Sequence, residues 1–255
     1  MSGGNAGELA GQVALITGAA GAGIGKATAR KLLEAGATVA VTDNHERRTK
    51  ETVEAFAREH GERVAGFVLD VGDRAQIASV CDAVEDTLGP VDVLVNNAAL
   101  NVLVPVSEYS QEDWDRVIEA DLTGCFALIR RLLPGMKERG RGSIVNVTSV
   151  AAFIGNALEG PYAAAKAALH SLTRSVAVEG GPHGVRANAV APGIIESKFI
   201  SKSEERYQRM AQQAPLRRIG RAEEVAEAIA FLASERSSYI TGEVLNVSGG
   251  WYMRA

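Results

Sequence analysis

The strongest constraint on this chain is an alternation. Short aliphatic, β-branched runs with no polar residue at every second position recur along it, and longer amphipathic stretches separate them. Continuous apolar runs are the mark of strands buried on both faces, as in parallel sheets sandwiched between helices. The runs are Gln12–Thr17, Thr38–Thr42, Val64–Leu69, Val91–Asn96, Ser143–Thr148, Val185–Val190 and Glu243–Val247. Between them, helical periodicity covers Ile24–Ala35, Glu46–His60, Arg74–Leu88, Gln111–Glu138, Gly160–Glu179 and Ala222–Ser234, with an interruption expected near Pro134 and Gly135. The fold class is therefore α/β: a doubly wound parallel sheet of Rossmann type flanked by helices. No compositional seam divides the 255 residues, so a single domain over 1–255 is expected, with a flexible N-terminus over about 1–9 and a lid-like excursion over about 194–219.

Several function classes are disfavoured. A net charge of −4 offers no basic surface for nucleic acid or an anionic membrane. No apolar run approaches the length that spans a bilayer, and no secretory signal is read at the N-terminus. Cys81 and Cys125 lie far apart, without metal-ligand spacing, and two free thiols suit the cytoplasm. No metal site is expected.

The chemistry should gather at the carboxyl ends of the strands, where such sheets bind ligands. Directly after the first strand comes T-G-A-A-G-A-G-I-G, Thr17 to Gly25, and then a helix. Glycines let the backbone turn tightly and approach a pyrophosphate, and the helix N-terminus offers free N–H groups. Asp43 ends the second strand, where a carboxylate can accept from both ribose hydroxyls and repel a 2′-phosphate. Arg47 and Arg48 are possible partners for such a phosphate, but they fall inside the next helix, so NAD is favoured over NADP. Tyr162 and Lys166 stand four residues apart on one helix face. An ammonium beside a phenol favours the phenolate and lowers its pKa, which suits proton transfer at a carbonyl oxygen.

These motifs, with Asp70 after the third strand, N-N-A-A at Asn96 to Ala99, Ser149, Y-A-A-A-K at Tyr162 to Lys166 and Pro192-Gly193, resemble in order and interval the short-chain dehydrogenase/reductase family, from about Leu9 to Trp251. The resemblance implies a nicotinamide cofactor, a small alcohol or ketone substrate and a homotetramer. It places Gly18, Gly23, Ile24 and Gly25 on the pyrophosphate, Asp70 and Val71 on the adenine, and Asn97 and Ala98 near its ribose. Tyr162 is implied as general acid–base, Ser149 as the donor to the substrate oxygen, Lys166 as partner of Tyr162 and of the nicotinamide ribose. Pro192, Gly193, Ile195 and Ser197 would border the nicotinamide.

Three positions depart from the family pattern. The glycine loop carries one extra residue, Ala99 replaces the usual glycine of N-N-A-G, and Asp121 stands where the family has an asparagine that holds a water on the proton path. The expected function is hydride transfer between NAD(H) and a secondary alcohol or ketone. The alternatives are an NADPH-dependent 3-oxoacyl-thioester reductase and a catalytically silent nucleotide-binding regulator. His170 and Cys125 are expected to be packing residues. Asn156, Leu158 and Glu159 either border the substrate or shape their loop, and Phe199 and Met210 are candidates for the pocket wall.

Overall fold

The computed structural model describes residues 7–197 and 204–253. Seven strands form one parallel sheet: β1 (Val13–Ile16), β2 (Thr38–Asp43), β3 (Val64–Val68), β4 (Val91–Asn96), β5 (Gly142–Val147), β6 (Val185–Pro192) and β7 (Val244–Val247), in the order β3-β2-β1-β4-β5-β6-β7. The order reverses between β1 and β4, so a crevice opens at their carboxyl ends. The central strands are buried along their whole length, which is why they carry no polar alternation.

The helices are α1 (Ile24–Glu34), α2 (Glu46–His60), α3 (Arg74–Leu88), α4 (Gln111–Ile118), α5 (Gly124–Arg139), α6 (Gly160–Gly180), α7 (Glu204–Ala211) and α8 (Ala222–Ala233). They cover both faces of the sheet. On one face, Leu32 and Leu33 of α1 and Ile229 of α8 meet Val39 and Val93. On the other, Ile77 and Val84 of α3 and Leu128 and Leu132 of α5 meet Leu15 and Leu94. Strand and helix limits fall within two residues of the sequence expectation.

Three expectations need correction or restriction. The helix after β4 is not interrupted at Pro134, which sits within α5. Pro134 and Arg130, whose carbonyl loses its helical donor, are both exposed, so water can take the donor's place. The irregularity falls earlier, in a widened turn over Glu119–Thr123 that joins α4 to α5. At the N-terminus, Leu9 is buried in the core and donates its N–H to Ala35 O at 2.9 Å. Residues 1–6 lie outside the described residues, as do residues 198–203 of the 194–219 excursion, Phe199 among them, while the later part of that excursion contains α7. No described helix is long and apolar enough to cross a membrane.

Candidate active site

The glycine loop packs closely where it must and is open where it can be. A Cβ at Gly25 would lie 2.3 Å from Gly18 O, and one at Gly18 would lie 3.0 Å from Ala98 Cα, so α1 and β4 can approach β1 only through glycine. At Gly21 and Gly23, by contrast, no atom lies within 4 Å of a Cβ position. The extra residue therefore bulges outward at Gly21 and the exposed Ala22. Gly23, at φ +142°, caps α1 with no side-chain hydrogen bond, and the first turn carries no acid. This helix end is free to receive an anion such as a pyrophosphate. Ser197 and Gly23 line one groove of about 670 Å³, which brings the segment after β6 to the loop.

Thr17 and Asn97 brace that loop. Thr17 Oγ1 accepts from the N–H groups of Asn97 and Ala98, each at 2.9 Å, while Asn97 Nδ2 donates to Thr17 O at 2.8 Å and Gly18 O at 3.2 Å. The Asn97 side chain thus ties the loop to the end of β4. Ala99 is exposed, so its methyl is accommodated. Asp70 Oδ1 accepts from Gly72 N at 2.9 Å, and Val71 is buried beneath it. Gly193 follows the end of β6 and donates to Val247 O at 3.0 Å. A Cβ there would come within 2.9 Å of Ser248 Cα. Ile195 bridges to Gly220.

Asp43 is buried at the end of β2, and Oδ1 accepts from His45 N at 3.1 Å and from Arg48 Nη2 at 3.0 Å. Arg48 lies inside α2, as the sequence indicated, yet its side chain reaches back to Asp43. The carboxylate is thus partly neutralised by the arginine that seemed out of reach.

Ser149, Tyr162 and Lys166 come together at the carboxyl end of β5. Ser149 Oγ accepts from Ala151 N at 3.1 Å and lies beside the Tyr162 hydroxyl. Lys166 Nζ lies 5.5 Å from the Tyr162 ring centroid and donates to Val147 O at 3.2 Å. On its far side, 3.2 Å away, is Asp121 Oδ2, and both side chains of the pair are almost completely buried (2% and 0% exposed). Asp121 Oδ1 accepts from Leu100 N at 2.7 Å. The widened turn before α5 aims Asp121 into the protein. It is held there by Gly124, whose Cβ position is only 2.2 Å from Val71 O.

The electrostatics differ from the sequence expectation. Burial acts against the Lys166 ammonium, but Asp121 and the Tyr162 phenol outweigh it and raise the lysine's pKa above its usual range. Burial raises the Asp121 pKa, opposed by Lys166 and the Leu100 N–H. The Tyr162 phenol is also raised, not lowered: burial is the main cause and Asp121 adds to it, outweighing Lys166 and Ser149.

The other candidates are structural. His170 Nε2 lies 2.8 Å from Thr148 Oγ1, and its ring packs on Phe153. Burial pushes the Cys125 thiol up to about 11. Glu159 accepts from Asn101 and Asn156 at 3.2 and 3.1 Å, and Leu158, at φ +73°, accepts from Val104 N and the Tyr109 hydroxyl, so these residues clamp two loops together. A polar chain across the sheet escaped the sequence reading: Asn96 Nδ2 donates to Asn146 Oδ1, and Asn146 Nδ2 to Thr173 Oγ1. Its one sequence signal is an asparagine inside each of two apolar strands. Among the described residues there is no cluster of side chains able to hold a metal ion.

Residues 18–252 match the family model described as Enoyl-(Acyl carrier protein) reductase. The chain is 43% identical over 245 residues to a (5R,7aS)-5-hydroxy-7a-methyl-1-oxo-2,3,5,6,7,7a-hexahydro-1H-indene-carboxyl-CoA reductase of Mycobacterium tuberculosis, covering 95% of this chain and 94% of that one. It is 42% identical over 248 residues to a 3-oxoacyl-(acyl-carrier-protein) reductase of Thermotoga maritima, covering 95% and 98%. A gluconate 5-dehydrogenase from Burkholderia cenocepacia, solved in complex with NADP and tartrate, superposes with a TM-score of 0.90 at 32% identity over 95% of this chain and 96% of that one. With these matches along nearly its whole length, and with the strand order and site that accompany them, the chain belongs to the short-chain dehydrogenase/reductase family of oxidoreductases.

Proposed function

We propose that this oxidoreductase interconverts a secondary alcohol and a ketone with NAD(H), using Tyr162 as general acid–base. The observation that carries the reading is the meeting of Ser149, Tyr162 and Lys166 at the carboxyl edge of the sheet, on the side where the glycine loop opens. Gly18, Gly23, Ile24 and Gly25 would hold the pyrophosphate and Asp43 the adenosine ribose. Asp70 and Val71 would hold the adenine, with Ala98 near its ribose and Asn97 bracing the loop behind it. Pro192, Gly193, Ile195 and Ser197 would border the nicotinamide. When bound, that ring supplies or accepts the hydride.

The chain's own residues handle the oxygen. Ser149 donates to it as charge develops, and Tyr162 exchanges the proton. Lys166, fixed by Val147 O and Asp121, presents a cation behind the phenol. The domain reading, one catalytic unit spanning 1–255, and a homotetrameric, cytoplasmic enzyme complete the proposal. Phe126, 44% exposed on α5, gives such an assembly an apolar contact.

The second reading, an NADPH-dependent 3-oxoacyl-thioester reductase, is favoured by the Arg48 guanidinium beside Asp43 and agrees with the thioester reductases among the relatives. Steady-state kcat/KM for NADH and NADPH, measured over a panel of ketones and 3-oxoacyl thioesters, separates the two. A preference for NADH with simple ketones supports the first reading, and a preference for NADPH with thioesters the second. In either case Tyr162→Phe should lose at least ~100-fold in turnover. Unchanged turnover refutes the acid–base assignment.

A further inference from the structure

The sequence could place Asp121 near Lys166, but not say what the two do to each other. The geometry defines the pair. Both carboxylate oxygens face donors: Oδ1 the Leu100 N–H at 2.7 Å and Oδ2 the Lys166 ammonium at 3.2 Å. Oδ2 makes no hydrogen bond among the described residues, so the ammonium of Lys166 is the charge it faces. The arrangement is that of a carboxylate and an ammonium, closed off from solvent.

The consequence falls on Tyr162. A lone ammonium on the next helical turn would draw the proton off the phenol. Paired with a carboxylate at 3.2 Å, the same ammonium has part of its pull on the phenol offset by the opposite charge. The other charged or titratable groups around the phenol do not restore a positive field. Glu159, in the loop before α6, is acidic and bound to Asn101 and Asn156. Cys125, on α5, is a neutral thiol bonded to the Asp121 carbonyl, and Ser149, after β5, is neutral.

We propose that Asp121 is a positioning residue that confines the charge of Lys166 in an internal ion pair and keeps the resting Tyr162 a neutral phenol, the form that donates the proton in carbonyl reduction. The proposal rests on the reading of Tyr162 as the acid–base. In carbonyl reduction the carbonyl carbon gains a hydride from a reduced nicotinamide dinucleotide, the Tyr162 O–H gives its proton to the carbonyl oxygen, and the resulting phenolate regains a proton from solvent. In alcohol oxidation the phenol must first lose its proton, which the positive ring of the oxidised cofactor would favour and the Asp121 carboxylate opposes. The raised pKa of Tyr162 agrees with this account.

The test uses Asp121→Asn, which keeps the shape and one acceptor oxygen but removes the negative charge, its amide NH2 replacing the oxygen that faces either Lys166 or the Leu100 N–H. In the protein without cofactor, Tyr162 is titrated through its phenolate absorbance, with Tyr162→Phe subtracted as the blank. The expected result is a midpoint lower by about 1 unit or more in Asp121→Asn than in the parent. Alcohol oxidation by the variant should likewise gain its alkaline limb at lower pH, while ketone reduction loses activity at lower pH than in the parent. Should Asp121→Asn not fold, Asp121→Ser provides the same charge removal with a smaller side chain. An unchanged or raised midpoint overturns the proposal. If Tyr162→Phe loses turnover yet the midpoint does not move, only the role of Asp121 falls. If Tyr162→Phe keeps turnover, the acid–base reading falls with it.

Discussion

Gly124 is where backbone packing fixes the position of Asp121, and replacing it tests that connection. A methyl group at Gly124 would sit 2.2 Å from Val71 O, 3.1 Å from Val71 C and 3.2 Å from Val71 Cβ. Ordinary contact begins near 3.4 Å, so the two backbones must part by about 1 Å. Neither is a flexible side-chain end that can rotate away. Overpacking of this kind costs about 1–3 kcal/mol, while alanine in a helix gains up to about 1 kcal/mol over glycine. With the alanine gain subtracted, the net expectation for Gly124→Ala is a loss of up to about 2 kcal/mol, a fall in Tm of up to roughly 8 °C for a chain of this length. Because the methyl pushes the start of α5 off the loop after β3, it also moves Asp121 against Lys166, so turnover should fall at temperatures where the variant is still folded. The assay is thermal unfolding beside steady-state turnover, with Gly21→Ala as control, since a Cβ at Gly21 meets nothing within 4 Å. If Gly124→Ala melts at or above the parent temperature, the close approach to Val71 does not hold the turn and the reasoning is wrong.

Other substitutions probe neighbouring statements. Lys166→Met leaves the Asp121 carboxylate buried and unpaired and should lower stability in urea by about 3–5 kcal/mol, whereas Lys166→Met with Asp121→Leu should recover much of it; equal losses would show that the pair is not coupled. Cys81 and Cys125, both buried and pushed up to about 11, should resist thiol reagents at neutral pH until the protein is denatured, and rapid labelling of the native chain would contradict their placement. Glu224, partly buried, takes hydrogen bonds from Arg218 and from the Arg221 N–H, which hold its carboxyl down at about 2. Its folded pKa lies below the unfolded value near 4.3, so its contribution is present above that value and is lost as pH falls toward 2. Glu224→Gln should therefore be less stable than the parent at pH 7, with the gap closing in acid; a gap that widens in acid would reverse the assignment.

The strands and most helices were legible because their signals are local. Apolar runs without alternation mark β1, β4 and β5, and glycine stops mark the ends of α2 and α3. The glycine loop was legible for a similar reason, since glycines between a strand and a helix announce a close approach. The break in the helix after β4 was misplaced because its cause is tertiary. Proline is a strong local signal, yet Pro134 sits where the orphaned Arg130 carbonyl faces water. The widened turn at Glu119–Thr123 contains no proline or glycine, and the contact that fixes it joins Gly124 to Val71, in the loop after β3 and distant in the chain.

The same distinction separates the identities of the site residues from their charges. Tyr162 and Lys166 share a helix face, so their nearness follows from spacing alone. Asp121 meets Lys166 from a different element and meets Leu100 from a loop, 21 positions away in the chain. Periodicity carries no information about such contacts. From the helix face alone, the lysine should have lowered the phenol's pKa. Burial raises the phenol instead, and Asp121, closing on the same ammonium, adds to that rise, so a group that spacing presents as a waiting base rests as an acid. On the proposal made above, the ease with which the phenol gives up its proton depends in part on the ion pair beside it, and Asp121→Asn, which restores the residue of the family pattern, should lower the phenol's midpoint while burial continues to raise it.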